Sequence, residues 1–300
     1  MIISASRRTD IPAFYADWFM NRIRAGSCQV ANPRNPRQVS EVSLAPSDVE
    51  AIVFWSKNPA PLVRHLAELD RLGFRYYFLF TLNDYPVCIE PCVPPLEERI
   101  KTFVDLSCRI GKDKVVWRYD PVILSEFLSP DYHRRAFSKI ADRLCNSATR
   151  VVISVVDFYA KTARRLSALE AATGDRFVRD PIAVPEFSSL ISDLSSIAKV
   201  NGMRIQGCAE DERLMELGIR PGKCIDDELI RDVLGVSVTQ EKDHGQRERC
   251  LCVVSRDIGV SDSCAYGCEY CYATSSAAKA MARHRLHIPE SPFLIAENGN

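Results

Sequence analysis

Short apolar runs alternate with amphipathic stretches through the first two hundred residues of the chain. Each run is rich in Val, Ile, Phe or Tyr and is followed by a polar turn and then by apolar positions at helical spacing. This repetition predicts strands that alternate with helices. The predicted strands are Ile2–Ser6, Ala51–Trp55, Arg75–Leu82, Lys114–Tyr119, Arg150–Val156 and Met203–Cys208, and the predicted helices are Pro12–Ala25, Pro61–Leu72, Leu96–Ile110, Pro130–Leu144 and Pro185–Val200.

Near-continuous apolar strands joined by helices are typical of an α/β fold with a parallel sheet that helices cover. Six or more such units favour a full or partial TIM-like βα barrel over an open doubly wound sheet, which is the alternative. No Gly-rich dinucleotide-binding turn follows any predicted strand, which weakens that alternative. We expect residues 1–207 to form the barrel repeats. Residues 208–300, a Cys-rich metal-binding segment with one helix at Ser275–His287, should complete the same structural domain.

The amino-acid composition indicates a globular protein and disfavours binding to nucleic acid or membranes. Hydrophobic residues make up 46% of the 300 positions and charged residues 26%, which excludes large-scale disorder. Lys+Arg and Asp+Glu both number 39, so the chain lacks the uniformly basic surface that drives binding to nucleic acid or to anionic membranes. Charged residues in MIISASRRTD precede any signal-peptide core, and no run of eighteen apolar residues follows. We expect a cytoplasmic protein without membrane contact.

Polar and charged residues follow each of the six predicted strands. Chemistry in parallel βα folds gathers at the carboxyl ends of the strands, so we expect these residues to line one cavity. Their cations would suit a carboxylate or phosphate on an anionic small-molecule substrate. The plainer alternative is that these loops are polar because they form turns. The candidate catalytic residues are Arg7, Asp10, Lys57, Asn58, Arg118, Asp120, Asp157 and Glu210.

Twelve cysteines give the clearest compositional signal. A reducing compartment disfavours disulfides, which leaves metal binding or catalysis to explain clustered cysteines. Cys264, Cys268 and Cys271 have the spacing CxxxCxxC, which is expected by chance only about 0.02 times in such a chain. Three neighbouring thiolates can bind three irons of a 4Fe-4S cluster and leave the fourth iron open. Structural zinc would more naturally use two CxxC pairs or add His.

The sequence CAYGCEYCYA, from Cys264 to Ala273, resembles the cluster loop of the radical S-adenosylmethionine enzymes. The resemblance implies a βα barrel, a 4Fe-4S cluster held by Cys264, Cys268 and Cys271, and S-adenosylmethionine bound at the open iron. It implies that Tyr270 lies against the adenine. It also implies that a reductant such as a flavodoxin or ferredoxin supplies the electron that cleaves S-adenosylmethionine and starts radical chemistry on a substrate.

The position of this loop in the chain differs from its position in the radical S-adenosylmethionine enzymes. Members of that superfamily carry the loop after their first barrel strand, whereas here it lies near the end of the chain. LCVVS, from Leu251 to Ser255, could be the strand that precedes the loop, so we expect a circularly permuted barrel. The chain as a whole, with SRRTD, WSKNP, RYDP and the final CxYCYA, also resembles an uncharacterised bacterial family of unknown function. That likeness implies no activity.

Four further cysteines flank the irregular segment that precedes the CxxxCxxC loop. Cys208, Cys224, Cys250 and Cys252 are enough for a closed site, which could hold a second Fe-S cluster or a zinc ion. Their spacing does not choose between these two, and some of the thiols could instead be buried packing groups. We expect a second metal site that fastens this segment to the barrel.

The leading hypothesis is therefore a radical S-adenosylmethionine enzyme whose substrate is unknown. A non-catalytic metal-binding module, in which Zn or Fe-S sites only brace the chain, is the first alternative. A nucleic-acid repair enzyme of the same radical chemistry is the second, prompted by basic residues near the start of the chain and in the last helix. The neutral overall charge disfavours nucleic acid as a partner.

Overall fold

The computed structural model describes residues 1–33, 35–209 and 212–295, with the side chain of Pro36 left aside. Eight strands in this part of the chain form one sheet in which every neighbouring pair is parallel. Two further strands form a separate antiparallel hairpin. The strands are β1 (Ile2–Ala5), β2 (Ser27–Asn32), β3 (Asn35–Ser43), β4 (Ala51–Ser56), β5 (Tyr76–Thr81), β6 (Val115–Val122), β7 (Arg150–Val155), β8 (Arg204–Cys208), β9 (Arg220–Gly222) and β10 (Arg256–Asp257).

The order of the strands across the sheet is β10-β1-β4-β5-β6-β7-β8-β9. Apart from β10, the strands are arranged across the sheet in the order in which they occur in the chain. The last strand pairs with the first, through Ile3 with Arg256 and Ser4 with Asp257. The CxxxCxxC loop therefore leaves the sheet beside β1, although it lies near the end of the chain. No ladder joins β9 to β10 within the described residues.

Helices follow most strands and supply the outer layer. Their amphipathic sequences bury one face against the sheet, and Ser129 and Asp10 cap two of them with side-chain oxygens. The helices are α1 (Ile11–Phe14), α2 (Ala16–Ala25), α3 (Ala60–Val63), α4 (Leu66–Arg71), α5 (Leu96–Ile110), α6 (Pro130–Leu144), α7 (Ala160–Thr173), α8 (Pro185–Val200), α9 (Glu212–Glu216), α10 (Asp227–Leu234) and α11 (Ala277–Arg285), with short 3-10 turns at Lys112–Lys114 and Pro181–Ala183.

Alternate residues of β1, β4, β5, β6 and β7 enter two different cores, as the two-residue repeat of a strand requires. Phe54, Phe78 and Trp117 pack with the helices in the larger core. Val53 and Tyr77, their neighbours in sequence, pack on the opposite face of the sheet in a second core. Residues of α10 and all four cysteines of the second predicted set belong to this second core: Cys208, Cys224, Cys250 and Cys252.

The structure confirms the α/β class, and all six predicted strands are present. The predicted helix over Pro12–Ala25 is two helices, because the chain breaks at Tyr15, and Pro61–Leu72 is likewise split. The strand predicted for Leu251–Ser255 is wrong: Val253 makes one isolated bridge to Lys242, and β10 begins one residue later. In the described residues, no helix is long and apolar enough to cross a membrane.

Candidate functional site

A cavity of about 320 Å³ opens at the carboxyl ends of the parallel strands. The loops after β1, β4 and β7 and the carboxyl half of β6 contribute its polar walls, and the two sets of cysteines come from the end of β8 and the segment after it. Residues distant in sequence meet here because parallel strands end at the same edge. The cavity brings together these sequence-predicted residues: Arg7, Asp10, Lys57, Arg118, Asp120, Asp157, Cys208, Cys224, Cys250, Cys252, Cys264, Cys268, Tyr270 and Cys271.

Two candidate catalytic residues are not placed in the cavity wall. Asn58 is buried outside the lining, and its Oδ1 accepts a 3.4 Å hydrogen bond from the backbone N–H of Ala60 at the start of α3. Its position after a strand is explained by this turn, which was the plainer interpretation of Asn before Pro. Glu210 lies outside the described residues.

The loop that carries Cys264, Cys268 and Cys271 is closed at its base by Asp262. The backbone N–H of Asp262 donates to the carbonyl of Ala273 at 3.1 Å, and its carboxylate accepts from the N–H of Ser275 and from Lys279 Nζ. Between the first two cysteines, Gly267 has φ +71°, a left-handed conformation that suits glycine. The N–H of Cys271 then bonds to the carbonyl of Cys268 at 3.1 Å. These bonds turn the three thiols toward the same cavity.

Arg165 on α7 holds this loop from outside. Its guanidinium donates to the carbonyl oxygens of Glu269, Thr274 and Cys271. On the other side, the hydroxyl of Tyr272 donates to the carbonyl of Arg7 at 2.9 Å. A guanidinium offers several donors in a fixed plane, so one side chain can order three carbonyls of an irregular loop.

Burial raises the pKa of two of the CxxxCxxC thiols, Cys268 and Cys264. It raises the pKa of Cys268 to about 12, although Lys57 partly opposes the shift. Burial also raises the pKa of Cys264 well above its usual range, and the charges of Asp10, Cys271 and Cys268 add to that effect. Thiols in such a site become thiolates when a bound cation compensates the lost hydration. The donor set therefore fits a cationic cluster.

No group of three or more His, Cys, Asp or Glu side chains in the described residues is already arranged to hold a single metal ion. A cubane makes a different demand, because each cysteine binds its own iron and the sulfurs stand on the order of 6 Å apart. Cys264, Cys268 and Cys271 line the same cavity, Cys268 as a buried residue and the other two partly exposed. Three cysteines on one cavity are the type and number of donors that a cubane with one open iron takes.

Tyr270, between the last two cysteines, is anchored beneath the cavity. Its hydroxyl donates to Glu90, whose carboxylate also accepts from Lys57 Nζ at 2.8 Å. The Lys57 ammonium lies 5.5 Å from the centroid of the Tyr270 ring. Burial raises the pKa of Glu90, but the positive charges of Lys57 and Arg99 outweigh it and hold that pKa below its usual range. This buried network fixes an aromatic face and a cation beside the thiols.

The opposite wall is built from two arginines and an indole. The guanidinium carbons of Arg7 and Arg118 lie 5.6 Å and 4.7 Å from the centroid of the Trp55 ring. Burial alone would lower the pKa of Arg118, but the nearby sulfurs of Cys224 and Cys208 raise it above its usual value. Arg7 Nη2 and Arg118 Nε are buried without a hydrogen-bond partner among the described residues. Both cations can therefore still bind an anion.

The three aspartates of the cavity have different environments. Asp10 accepts from the N–H of Ala13 at 3.0 Å and from the N–H of Lys57 at 2.7 Å, so it joins two loops. Burial raises its pKa to about 7. Asp120 forms an ion pair with Arg118 and accepts from Ser154, whereas the half-exposed Asp157 pairs with Arg247. Asp10 and Asp120 thus position other groups.

The second set of cysteines forms consecutive sulfur contacts. Cys208 Sγ and Cys224 Sγ are 3.2 Å apart, and the N–H of Ile225 donates to Cys252 Sγ at 3.3 Å. The contact with Cys224 lowers the pKa of Cys208 to about 6, and the contacts with Cys224 and Cys250 lower the pKa of Cys252. The same contacts, together with burial, raise the pKa of Cys224 and that of Cys250.

The sequence comparison covers the fold and both sets of cysteines. The family described as "Domain of unknown function (DUF1848)" matches residues 2–273. The chain belongs to this family. No curated protein matches the chain. The matched region of this DUF1848 chain includes every cysteine from Cys208 to Cys271, together with the loop after β1.

Sequence reasoning missed two residues that organise the DUF1848 site. Asp257, in β10, accepts hydrogen bonds from Ser4, Ser6 and Gly259 and from Arg7 and Arg8, and so joins the last strand to the first loop. Arg165 was missed because α7 has a weak apolar face and was not predicted. The sequence did offer one signal for Asp257, because this carboxylate lies shortly before the CxxxCxxC loop.

Proposed function

We propose that this DUF1848 protein is a radical S-adenosylmethionine enzyme built on a partial, circularly permuted βα barrel. The observation that carries the proposal is where the CxxxCxxC thiols lie. They line a cavity at the carboxyl edge of the parallel sheet, in the loop that follows the strand beside β1. If β10 is counted first, the loop follows the first strand of a sequentially ordered sheet. This is the location that the resemblance requires.

Three thiols are available as ligands: Cys264, Cys268 and Cys271 would each hold one iron of a 4Fe-4S cluster, and the cavity would face the fourth. When bound and reduced, the cluster supplies the electron that cleaves a carbon–sulfur bond of S-adenosylmethionine. Tyr270 offers an aromatic face beside this position, held by its hydrogen bond to Glu90. A flavodoxin or ferredoxin is the class of reductant that we expect.

The other wall supports an anionic small-molecule substrate. Arg7 and Arg118 retain buried N–H groups without partners in the described part of the chain, and a carboxylate or phosphate would satisfy them. Trp55 presents an indole between the two cations. The surrounding loops exclude water and keep the substrate aligned with the thiol wall, which is the protein's role when a cofactor does the difficult chemistry. All twelve cysteines are free, which suits a reducing cytoplasm.

The test is anaerobic reconstitution with iron and sulfide, followed by reduction with dithionite in the presence of S-adenosylmethionine. We expect 5′-deoxyadenosine or methylthioadenosine to form. Cys264→Ala should abolish both the cluster absorbance and the product. Cys108→Ala is the matched control, because Cys108 is an exposed cysteine on α5, and it should behave as the wild type.

Loss of product in the Cys108 variant as well would point to a general effect of removing thiols and would count against the assignment. A wild-type protein that takes up zinc in place of iron and leaves S-adenosylmethionine intact would favour the non-catalytic metal module. Retention of the cluster in Cys264→Ala would contradict the ligand assignment.

A further inference from the structure

Cys208, Cys224, Cys250 and Cys252 come from three separate parts of the chain and are buried together on the inner face of the sheet. Cys208 ends β8, Cys224 follows β9, and the other two lie in coil before β10. The contacts run from Cys208 to Cys224, from Cys224 to Cys252, and from Cys252 to Cys250. A row of four thiols in contact inside one core is far more than packing requires.

We propose that these four cysteines form a closed site for one tetrahedral metal ion, of which Zn²⁺ is the best match. Four thiolates around one ion at Zn–S distances of about 2.3 Å have sulfurs separated by roughly 3.8 Å. The 3.2 Å separation of Cys208 Sγ and Cys224 Sγ is close to that value. A cubane would hold its cysteine sulfurs on the order of 6 Å apart, which these contacts do not approach.

Two cations complete the environment. An ion with a 2+ charge bound by four thiolates leaves the site with a net charge of about −2. Arg7 lies beside Cys252, and Arg118 lies beside Cys224 and Cys208. These two guanidinium groups can neutralise the site, and the N–H of Ile225 already donates to Cys252 Sγ. Such outer hydrogen bonds commonly accompany metal-bound thiolates.

The coil that carries Cys250 and Cys252 can bring the four sulfurs together around an ion. The sulfurs are linked in succession and do not yet surround one point, so the described residues hold no ready-made single-ion site here. Cys250 and Cys252 lie in coil, which can close the row around an ion. The bound ion would tie this coil and β9 to the end of β8. It would also fix Arg7 and Arg118 in the cavity that the CxxxCxxC thiols line as well.

The decisive experiment measures zinc, iron and acid-labile sulfide in separate variants of the full chain. The Cys264→Ala/Cys268→Ala/Cys271→Ala variant should lose its iron and sulfide and keep about one zinc per chain, with an X-ray absorption spectrum of four sulfurs at about 2.3 Å. Cys250→Ser/Cys252→Ser should lose the zinc. Cys108→Ser/Cys145→Ser, which removes two exposed thiols, should change neither metal.

The triple variant keeps the proposal testable even if the Cys250/Cys252 variant does not fold. Replacing its metal by Co²⁺ should give the visible absorption of a tetrahedral thiolate site. Labile sulfide remaining in the triple variant, or no bound metal at all, would overturn the single-ion site. Neither result would bear on the radical chemistry, which is tested by product formation in the protein with Cys264, Cys268 and Cys271 intact.

Discussion

Individual carboxylates of the site act mainly on the backbone around them. The Asp257 carboxylate accepts five hydrogen bonds, of which four join β10 to β1 and the loop after it. Asp10 caps α1 and holds the N–H of Lys57, and Asp120 neutralises Arg118. Buried carboxylates with several donors are costly to disrupt, because removing the acceptor leaves those donors unsatisfied. At the scale of single residues, the cavity is therefore preorganised.

His133 gives a pH-dependent prediction away from the cavity. Its Nε2–H donates to the carbonyl of Ile123 at 2.8 Å, and its Nδ1 therefore accepts from the hydroxyl of Tyr119 at 2.7 Å. Burial lowers the pKa of this neutral imidazole from 6.5 to about 4. The unfolded chain binds the extra proton between these values, so stability is lost as the pH falls below 6.5.

We expect this group to reduce the free energy of unfolding by about 2 kcal/mol between pH 7 and pH 5. His133→Gln should be less stable at pH 7 but should lose this part of the pH dependence. His244→Gln, at an exposed position, should keep the slope of the wild type. Urea denaturation at the two pH values measures this change in unfolding free energy. The account is contradicted if His133→Gln loses as much unfolding free energy between pH 7 and pH 5 as the wild type does.

Helix α7, in the outer layer, contacts the CxxxCxxC loop through Arg165. Arg165→Met removes the donors to the carbonyls of Glu269, Thr274 and Cys271 while keeping a long apolar stem. We expect the reconstituted variant to lose iron to a chelator about tenfold faster or more, because outer contacts orient metal ligands. Its circular dichroism should match the wild type. Arg164→Met, an exposed neighbour on α7, should retain iron normally; equal loss from both variants would refute a specific role for Arg165.

The close approach of β10 to β1 makes a second prediction at the scale of elements. A Cβ at Gly259 would lie 2.0 Å from Ser6 Oγ and 2.5 Å from Ser6 Cβ, so Gly259→Ala must push the two segments apart. We expect a loss of about 3 kcal/mol in unfolding free energy and reduced iron uptake. Gly174→Ala meets open space but has φ +78°, so backbone strain alone should cost about 1 kcal/mol. If Gly259→Ala and Gly174→Ala lost the same unfolding free energy, the contact between Gly259 and Ser6 would not be tight.

For the whole molecule, the sequence predicted the alternation of strands and helices because buried strands and amphipathic helices carry local patterns. The prediction failed for strands that are defined by their pairing with other strands and not by a local pattern. The β2–β3 hairpin was missed, and β10 is only two residues long, so its place beside β1 has no local signature. The positions of the cysteines predicted both sets, but the sulfur contact of Cys208 with Cys224 depends on how β8 and β9 pair.

The central claim is that Cys264, Cys268 and Cys271 hold a cubane whose fourth iron faces the cavity. Mössbauer spectroscopy of the ⁵⁷Fe-reconstituted protein, with and without S-adenosylmethionine, tests it most directly. The account predicts a cubane in which one iron differs from the other three and changes its spectrum when S-adenosylmethionine is added. Four iron sites that all remain unchanged on addition, or no cubane at all, would contradict it.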